Sequence, residues 1–199
     1  MTQFDRFYPI VDSTDWLEVM LPLGIRLVQL RIKSRDEDLL SEEIATAREM
    51  CSGHGVLLVV NDHWQIAIEE GCDFIHLGQE DLDDADLEAI RAAGIRLGVS
   101  THDHAELERA LAIDPDYISL GPVWPTILKQ TMSTELGLEH VTEWKEMIGA
   151  IPLCAVGGLT PERALQAFDA GADMAAVATD ITMNADPEGR TREWLETTR

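Results

Sequence analysis

Basic residues are scarce in this sequence of 199 residues. Lysine and arginine together number 15, aspartate and glutamate number 37, and the formal net charge is −22. A chain this acidic repels the phosphates of nucleic acids and of anionic membrane surfaces, so we expect neither as a partner. If the substrate is itself an anion, the few basic residues near its site become informative, because they must offset this background charge.

Long hydrophobic runs are also absent. No run of about 18 apolar residues occurs, which argues against a membrane-spanning helix. The first residues, Met1–Arg6, show no basic region followed by an apolar stretch, so no secretory signal is predicted. We therefore expect a cytoplasmic protein.

Cysteine and histidine are few and lack the spacing of disulfide frameworks or metal sites. The three cysteines, Cys51, Cys72 and Cys154, lie far apart and form no C-x-x-C motif, so we expect reduced, buried thiols. Among the six histidines, His102 and His104 are two residues apart, which suits neither a zinc finger nor a helical zinc pair.

What the sequence does contain is a regular alternation of strand-length apolar runs with longer amphipathic stretches. The predicted strands are Phe7–Asp12, Arg26–Lys33, Val56–Asp62, Phe74–Gly78, Arg96–Thr101, Tyr117–Val123, Pro152–Gly158 and Met174–Asp180. The helical patterns include Glu37–Cys51, Ala85–Ala93, His104–Ile113, Glu139–Gly149 and Glu162–Ala170. Eight βα units in a chain of 199 residues predict an α/β protein, a (β/α)8 TIM barrel with a single domain over residues 1–199. A doubly wound open sheet is the alternative, although no G-x-G-x-x-G motif follows the first strand.

The second predicted strand, Arg26–Lys33, departs from the apolar pattern of a parallel strand covered on both faces. Its residues alternate, so that one face is apolar and the other carries Gln29, Arg31 and Lys33. In a barrel the apolar face packs on the helices, which leaves these three side chains pointing inward. Buried cations need an anionic partner. We interpret this face as an anion-binding site, and a salt-bridge network inside the core is the alternative.

Further polar residues follow other predicted strands at the ends where barrel enzymes build their sites. Asn61 and Asp62 end the third strand, Asp81 follows the fourth, and Ser100 lies near the end of the fifth. Two carboxylates on neighbouring strands, together with substrate phosphate oxygens, suit Mg²⁺. Alternatively, either aspartate caps the helix that follows it.

The loops after the sixth and seventh predicted strands fit a phosphate site. The loop Gly121–Lys129 carries another lysine toward the same edge, although it could be an ordinary surface loop. Gly157 and Gly158 precede Thr160, a predicted N-cap, and Pro161 at the first helical position. Backbone N–H groups at a helix start bind phosphate, and barrels often place phosphate after strands seven and eight. A diglycine could equally form a simple turn.

Taken together, these motifs resemble the thiamine-phosphate synthase family. The matching segments are Val28–Lys33, Asn61–Asp62, His76–Asp81, Leu97–Ser100, Pro125–Thr126 with Lys129, and Val156–Gly158. Their order and spacing agree over nearly the whole chain, from Tyr8–Asp12 to the last strand. Q-x-R-x-K combined with H-x-G-Q-E-D is the specific part, and neither half suffices alone.

The resemblance implies a transfer between two small-molecule substrates. In this family, 4-amino-2-methyl-5-(diphosphooxymethyl)pyrimidine loses diphosphate and the nitrogen of 4-methyl-5-(2-phosphooxyethyl)thiazole takes its place. The residues implied for the pyrimidine diphosphate are Gln29, Arg31, Lys33, Asn61, Ser100 and Lys129. Those implied around the thiazole phosphate are Thr126, Leu128, Gly158, Ala178 and Thr179. Asp62 and Asp81 are implied as the Mg²⁺ ligands.

The implied chemistry is dissociative, because an aminopyrimidine stabilises a cation on its methylene carbon. Early departure of diphosphate needs charge neutralisation rather than a base or a nucleophile. Arg31, Lys33 and Lys129 would supply it together with Mg²⁺, and Ser100 would act beside the pyrimidine. No catalytic triad or G-x-S-x-G motif is recognisable.

Two positions depart from the family pattern. Leu128 stands where the family usually has a second threonine, and Thr179-Asp180 stands where the last strand usually ends in Ser-Ala. Leu128 removes a hydroxyl near the phosphates, and Asp180 would repel the thiazole phosphate if it faced it. We expect slower catalysis or a higher KM for the thiazole phosphate, with activity retained.

Three other functions are considered. A thiazole tautomerase would need neither the Gln29–Arg31–Lys33 face nor the paired aspartates. A non-catalytic barrel that binds thiamine precursors or phosphate would bind both ligands and turn over neither. An unrelated phosphate-binding lyase or isomerase would ignore the pyrimidine.

Restoring the hydroxyl at position 128 tests the effect of the loop departure. Leu128→Thr should raise kcat or lower the KM for the thiazole phosphate by about fivefold, since a hydrogen bond contributes about 1 kcal/mol. Steady-state kinetics with the thiazole phosphate varied measures this, and Ile127→Thr adds the same hydroxyl one residue away as a control. Unchanged kcat and KM in Leu128→Thr would show that the leucine has no kinetic cost.

Overall fold

The computed structural model describes residues 4–33, 36–126 and 135–199. Eight parallel strands form a closed barrel in chain order, as the alternating pattern predicts, and not an open doubly wound sheet. The strands are β1 (Phe7–Val11), β2 (Leu27–Leu30), β3 (Leu57–Asn61), β4 (Phe74–Leu77), β5 (Arg96–Thr101), β6 (Tyr117–Leu120), β7 (Leu153–Val156) and β8 (Met174–Val177). Pairing of β1 with β8, which sets Phe7 beside Ala175, closes the sheet.

Helices follow the strands and cover the outside of the barrel. They are α1 (Asp15–Met20), α2 (Glu37–His54), α3 (Trp64–Glu69), α4 (Gln79–Asp84), α5 (Leu87–Ala92), α6 (His104–Ala112), α7 (Gly137–Ile148), α8 (Pro161–Asp169), α9 (Thr179–Thr182) and α10 (Pro187–Thr198), with a 3₁₀ turn at Leu21–Leu23. Within the described part of the chain, no helix is both long and apolar enough to cross a membrane.

Most predicted strands extend past the observed ones at their carboxyl ends. β5 spans the predicted Arg96–Thr101, whereas β2 ends at Leu30 and leaves Arg31–Lys33 outside the sheet. The alternation of side chains continues through Lys33, but the strand ends where its hydrogen-bonded partners end. The polar residues that follow the strands therefore belong to turns at the rim of the barrel.

Two apolar layers hold the barrel together. The outer layer lies between sheet and helices and includes Val28 and Leu30, which confirms the predicted outward face of β2. The inner layer fills the barrel with Tyr8, Leu27, Val59, Phe74, Tyr117, Cys154, Met174 and Ala176. The three cysteines are free and buried, as expected.

The inner layer leaves no room for a side chain at Gly98 on β5. A Cβ atom there would overlap the ring of Tyr117, which lies across the barrel interior. The same ring packs edge-on against Phe4 at 5.5 Å between centroids. Gly98 is therefore required by the close approach of an aromatic ring to the backbone.

Gly98→Ala should destabilise the fold because the new methyl group overpacks the barrel interior. We expect the free energy of unfolding to fall by about 1–3 kcal/mol, measured by chemical denaturation. Gly53→Ala is the matched control, since its Cβ would meet nothing within 4 Å on α2 and alanine favours a helix. Equal stability of Gly98→Ala and wild type would contradict the packing assigned to Tyr117.

Candidate active site

Asp62 lies in a turn directly after β3, at the rim of the barrel. Its backbone has a positive φ of 66°, a conformation that aspartate tolerates better than most residues. The Asp62 N–H donates to the carbonyl oxygen of His76 on β4 at 2.9 Å, which ties the turn to the neighbouring strand. The preceding residue, Asn61, is buried at the end of β3.

Asp81 approaches Asp62 from the first turn of α4. Gly78 caps this helix without a side chain, and a Cβ there would lie 2.9 Å from Oδ2 of Asp81. The two carboxyl groups lie close enough to interact electrostatically, which agrees with the prediction that residues following neighbouring strands come together. Burial, followed by the charge of Asp81, raises the pKa of Asp62 to about 6. Neither aspartate caps its helix: α3 and α4 have His63 and Gly78 at their N-caps.

The carboxylate pair has the chemistry of an incomplete cation site. Across the described ranges, no lysine, arginine or histidine forms an ion pair with Asp62 or Asp81. The same residues contain no group of three or more histidine, cysteine, aspartate and glutamate side chains that could hold a metal. A cation bound by the pair would thus take its other ligands from water or a substrate, as Mg²⁺ does when it binds phosphates.

Arg31 lies beside this pair but forms no ion pair within 4.0 Å with either carboxylate. Its N–H donates to the carbonyl oxygen of Val11 at 2.7 Å, and its positive charge lowers the pKa of both Asp62 and His76. No ion pair within 4.0 Å joins Arg31 or Lys33 to any residue that the structure describes, so the alternative of a core salt-bridge network is wrong there. The half-buried guanidinium is available to an anion.

The expectation that Gln29, Arg31 and Lys33 all point into the barrel holds only in part. Gln29 is 3% exposed and lies inside, whereas Arg31 is half-buried and Lys33 is exposed. The physical reason is the early end of β2, which carries the two cations onto the rim.

A chain of hydrogen bonds crosses the interior of the barrel, and we call it the interior relay. Its members are Gln29, Tyr8, Tyr117, His76 and Ser100. Gln29 Nε2 donates to Tyr8 Oη at 2.9 Å, and the two tyrosine oxygens are 2.9 Å apart. Tyr117 Oη lies 2.7 Å from His76 Nδ1, and His76 Nε2 lies 2.8 Å from Ser100 Oγ. Burial, with a smaller effect of Arg31, lowers the pKa of His76 to about 3, so the ring is neutral.

Sequence reasoning assigned no role to Tyr8, Tyr117 or Gln79. The tyrosines lie in apolar strand runs and look like ordinary core aromatics. Gln79 Nε2 donates to the Ser100 carbonyl oxygen at 2.6 Å, and its Oε1 is buried with no hydrogen-bond partner among the described residues. Gln79 belongs to the H-x-G-Q-E-D motif, which could have marked it as a site residue. The motif does not show which atom the Gln79 amide contacts.

The loops after β6 and β7 pack on each other at the same rim. Trp124 N–H donates to the Gly157 carbonyl oxygen at 3.1 Å. Gly158 has a φ of 63°, and a Cβ there would overlap the Pro125 carbonyl oxygen, so only glycine fits. Arg163 Nη1 donates to the Gly158 carbonyl oxygen at 2.5 Å, and the guanidinium lies 5.5 Å from the Trp124 ring centroid. The two loops are thus held together by backbone and side-chain contacts.

Other predictions for these loops have separate outcomes. Thr160 caps α8 with its side chain, and Pro161 begins the helix, both as predicted. Thr126 is half-buried at the edge of the described segment. Leu128 and Lys129 lie outside the described residues.

Asp180 has partners that the sequence did not reveal. Its carboxylate accepts two hydrogen bonds from Arg190, at 2.7 and 2.9 Å, and one from Trp194 Nε1 at 2.8 Å. These contacts hold the carboxylate against α10, where Arg190 also pairs with Glu193. The sequence revealed the charge but not its partner.

The sequence model of the thiamine monophosphate synthase family matches residues 7–181. The chain belongs to this family.

Individual relatives agree over nearly the full length. A thiamine-phosphate synthase of Rhizobium etli is 58% identical over 196 residues, which cover 98% of this chain and 96% of the relative. One of Enterobacter sp. is 43% identical, covering 95% of this chain and 90% of the relative. The solved structure of a thiamine phosphate pyrophosphorylase from Pyrococcus furiosus superposes with a TM-score of 0.85 at 26% identity, covering 97% of this chain and 95% of that chain.

The like-charge pair should cost stability as the pH rises. Because its folded pKa is raised, Asp62 favours folding while protonated, and that contribution is lost between about pH 4 and pH 6. Asp81→Asn removes the repulsion, so we expect its Tm at pH 8 with EDTA to exceed wild type by about 2–4 °C.

The difference between Asp81→Asn and wild type should shrink toward pH 4, where protonation of Asp62 in wild type removes the repulsion. Asp84→Asn, an exposed position at the end of α4, is the control and should match wild type. Thermal unfolding across this pH range measures both, and a lower Tm of Asp81→Asn at pH 8 would contradict the repulsion.

Proposed function

We propose that this protein is a thiamine-phosphate synthase. It joins 4-amino-2-methyl-5-(diphosphooxymethyl)pyrimidine to 4-methyl-5-(2-phosphooxyethyl)thiazole and releases diphosphate. The observation that carries the proposal is the Asp62–Asp81 pair with Arg31 beside it at one rim, none of which forms an ion pair within 4.0 Å in the described ranges. The Arg31 guanidinium suits a diphosphate, and the two carboxylates suit its counter-cation. Membership of the family supports the same substrates.

The reaction transfers an alkyl group by breaking one bond and making another. The C–O bond between the pyrimidine methylene and diphosphate breaks, and its electron pair leaves with the diphosphate. The lone pair of the thiazole nitrogen then forms the new C–N bond. Arg31, Lys33 and Lys129 stabilise the departing anion, and the buried Asn61 binds the same diphosphate. Because this charge develops in the transition state, fixed cations lower the barrier more than they strengthen substrate binding.

The carboxylate pair fits Mg²⁺. Asp62 and Asp81 would hold the ion, which when bound neutralises charge on the diphosphate oxygens. The raised pKa of Asp62 supports this assignment, because a divalent cation relieves the repulsion that the chain itself leaves in place.

The pyrimidine ring would lie at the inner end of the site, near Gln29 and Ser100. Both residues are held in place by hydrogen bonds of the interior relay.

The thiazole phosphate would occupy the opposite side of the rim. Thr126, Gly158, Ala178 and Thr179 follow β6, β7 and β8, where barrels commonly bind phosphate. Leu128 belongs to the same proposed set. The pairing of Asp180 with Arg190 supports this assignment, since the carboxylate is directed to α10 by its own hydrogen bonds.

We further infer a cytoplasmic, single-domain enzyme that acts on small molecules and binds neither nucleic acid nor membranes. The strong negative charge supports the absence of polyanionic partners. A binding-only role is the weaker alternative. It is suggested by two departures from the family pattern, Leu128 and Asp180, and the Asp180 carboxylate is paired with Arg190.

The first experiment mixes the purified protein with both phosphorylated precursors and Mg²⁺, and measures thiamine phosphate and diphosphate. We expect equal amounts of both products and loss of activity on chelation with EDTA. Binding of both precursors without product would indicate the non-catalytic barrel instead.

Asp81→Ala tests the cation assignment directly. Its turnover should fall by at least about a hundredfold, since the leaving-group charge loses its counter-ion. Asp84→Ala on the same helix should keep wild-type turnover, and circular dichroism should show both variants folded. Wild-type activity in Asp81→Ala, or in EDTA, would rule out this metal site.

A further inference from the structure

The interior relay has a direction that follows from which of its atoms can donate protons. The Gln29 amide nitrogen only donates, and it donates to Tyr8 Oη. The remaining described partner of Tyr8 Oη is the Tyr117 hydroxyl oxygen. A buried hydroxyl donates its proton in a hydrogen bond to an acceptor. The Tyr8 hydroxyl therefore donates to the Tyr117 oxygen.

The same reasoning continues to the far end of the relay. Tyr117 accepts from Tyr8, which leaves its own proton for His76 Nδ1. His76 Nδ1 is therefore an acceptor, and its proton resides on Nε2. That nitrogen donates to Ser100 Oγ.

A protonated imidazole would not fit this arrangement. Both ring nitrogens of His76 would then donate, and the Tyr117 proton would have no acceptor among the described residues. The reverse polarity fails for the same kind of reason, because it would direct the Tyr8 proton at the amide nitrogen of Gln29.

We propose that the interior relay is one-way and presents the Ser100 hydroxyl as a hydrogen-bond donor at the mouth of the barrel. Tyr8 and Tyr117 are then positioning residues for a substrate atom that accepts, which among the proposed substrates is a pyrimidine ring nitrogen. This inference rests on the proposed function for the identity of the acceptor. The polarity itself rests on the hydrogen bonds alone.

The geometry at Ser100 agrees with this role. The residue is half-buried near the carboxyl end of β5, at the same rim where Asp62 follows β3 and Asp81 follows β4. Its carbonyl oxygen accepts from Gln79 Nε2 at 2.6 Å, which fixes the backbone. His76 Nε2 donates to one lone pair of Oγ, so the serine proton is not used within the relay and can be donated to a ligand.

The position of the proton on His76 is measured first, in the full-length protein without ligands. Nitrogen NMR of ¹⁵N-histidine protein distinguishes the two neutral tautomers, and the spectrum of His76→Asn identifies the signals. We expect the proton on Nε2 in wild type. A proton on Nδ1, or a protonated ring at neutral pH, would overturn the proposal without any reference to activity.

Tyr117→Phe then removes the hydroxyl that donates to Nδ1 while it keeps the ring. We expect His76 to populate both tautomers and kcat/KM for the pyrimidine diphosphate to fall about tenfold. The KM for the thiazole phosphate should change by less than about twofold, because that substrate lies away from the relay. Tyr8→Phe, one hydrogen bond farther away, should show a smaller change in the same direction.

Thr101→Val is the matched control for loss of a buried hydroxyl. Thr101 follows Ser100 on β5, but its side chain contacts Trp144 and the Ser119 carbonyl oxygen outside the relay. This variant should lose stability and keep both the His76 tautomer and the pyrimidine kinetics. A tautomer change in Thr101→Val as large as in Tyr117→Phe would mean that general loosening of the barrel is responsible.

Coupling to Ser100 completes the test. In a Ser100→Ala background, Tyr117→Phe should cause no further loss in kcat/KM for the pyrimidine diphosphate, since the relay then ends without a donor. Independent, additive losses would overturn the positioning role. Absence of product from every protein, with the proton on Nε2, would refute the proposed function and leave the polarity standing.

Discussion

Hydrogen bonds between β1 and β8 close the sheet into a barrel, and the arrangement of polar residues depends on that closure. Because all eight strands are parallel, their carboxyl ends meet at one rim. Residues separated by tens of positions, such as Asp62, Asp81 and Gly158, are thereby collected around one opening. An open sheet would spread the same residues along an edge.

The carboxylates that follow the barrel strands differ in the charged partners around them. Asp180 is paired twice with Arg190 and bonded to Trp194, so its charge contributes to the docking of α10. Asp62 and Asp81 lie against each other with Arg31 nearby, and burial, followed by the charge of Asp81, raises the pKa of Asp62. In a chain with a net charge of −22, a buried carboxylate pair that forms no ion pair within the described residues is costly. Such a cost is typical of a site whose missing charge arrives with a ligand.

The interior of the barrel combines tight packing with a polar path. The Tyr117 ring fills the space that Gly98 leaves open, and its hydroxyl joins Tyr8 to His76. Each of these hydroxyls is satisfied inside the barrel, so the polar path avoids the penalty for unpaired buried groups. The packing that fixes the Tyr117 ring also fixes the position of its hydroxyl. Hydrogen bonds through His76 then connect this core residue to Ser100 at the rim.

The sequence by itself determined the barrel, because strand-length apolar runs and amphipathic stretches follow local periodicities of two and 3.6 residues. It also determined that Asp62 and Asp81 meet, since parallel strands in chain order place their ends side by side. Only the tertiary structure decided that β2 ends before Arg31, that Arg190 neutralises Asp180, and that Tyr8 contacts Tyr117 across 109 positions. Those outcomes depend on which distant group occupies the neighbouring space, and no local periodicity encodes that choice.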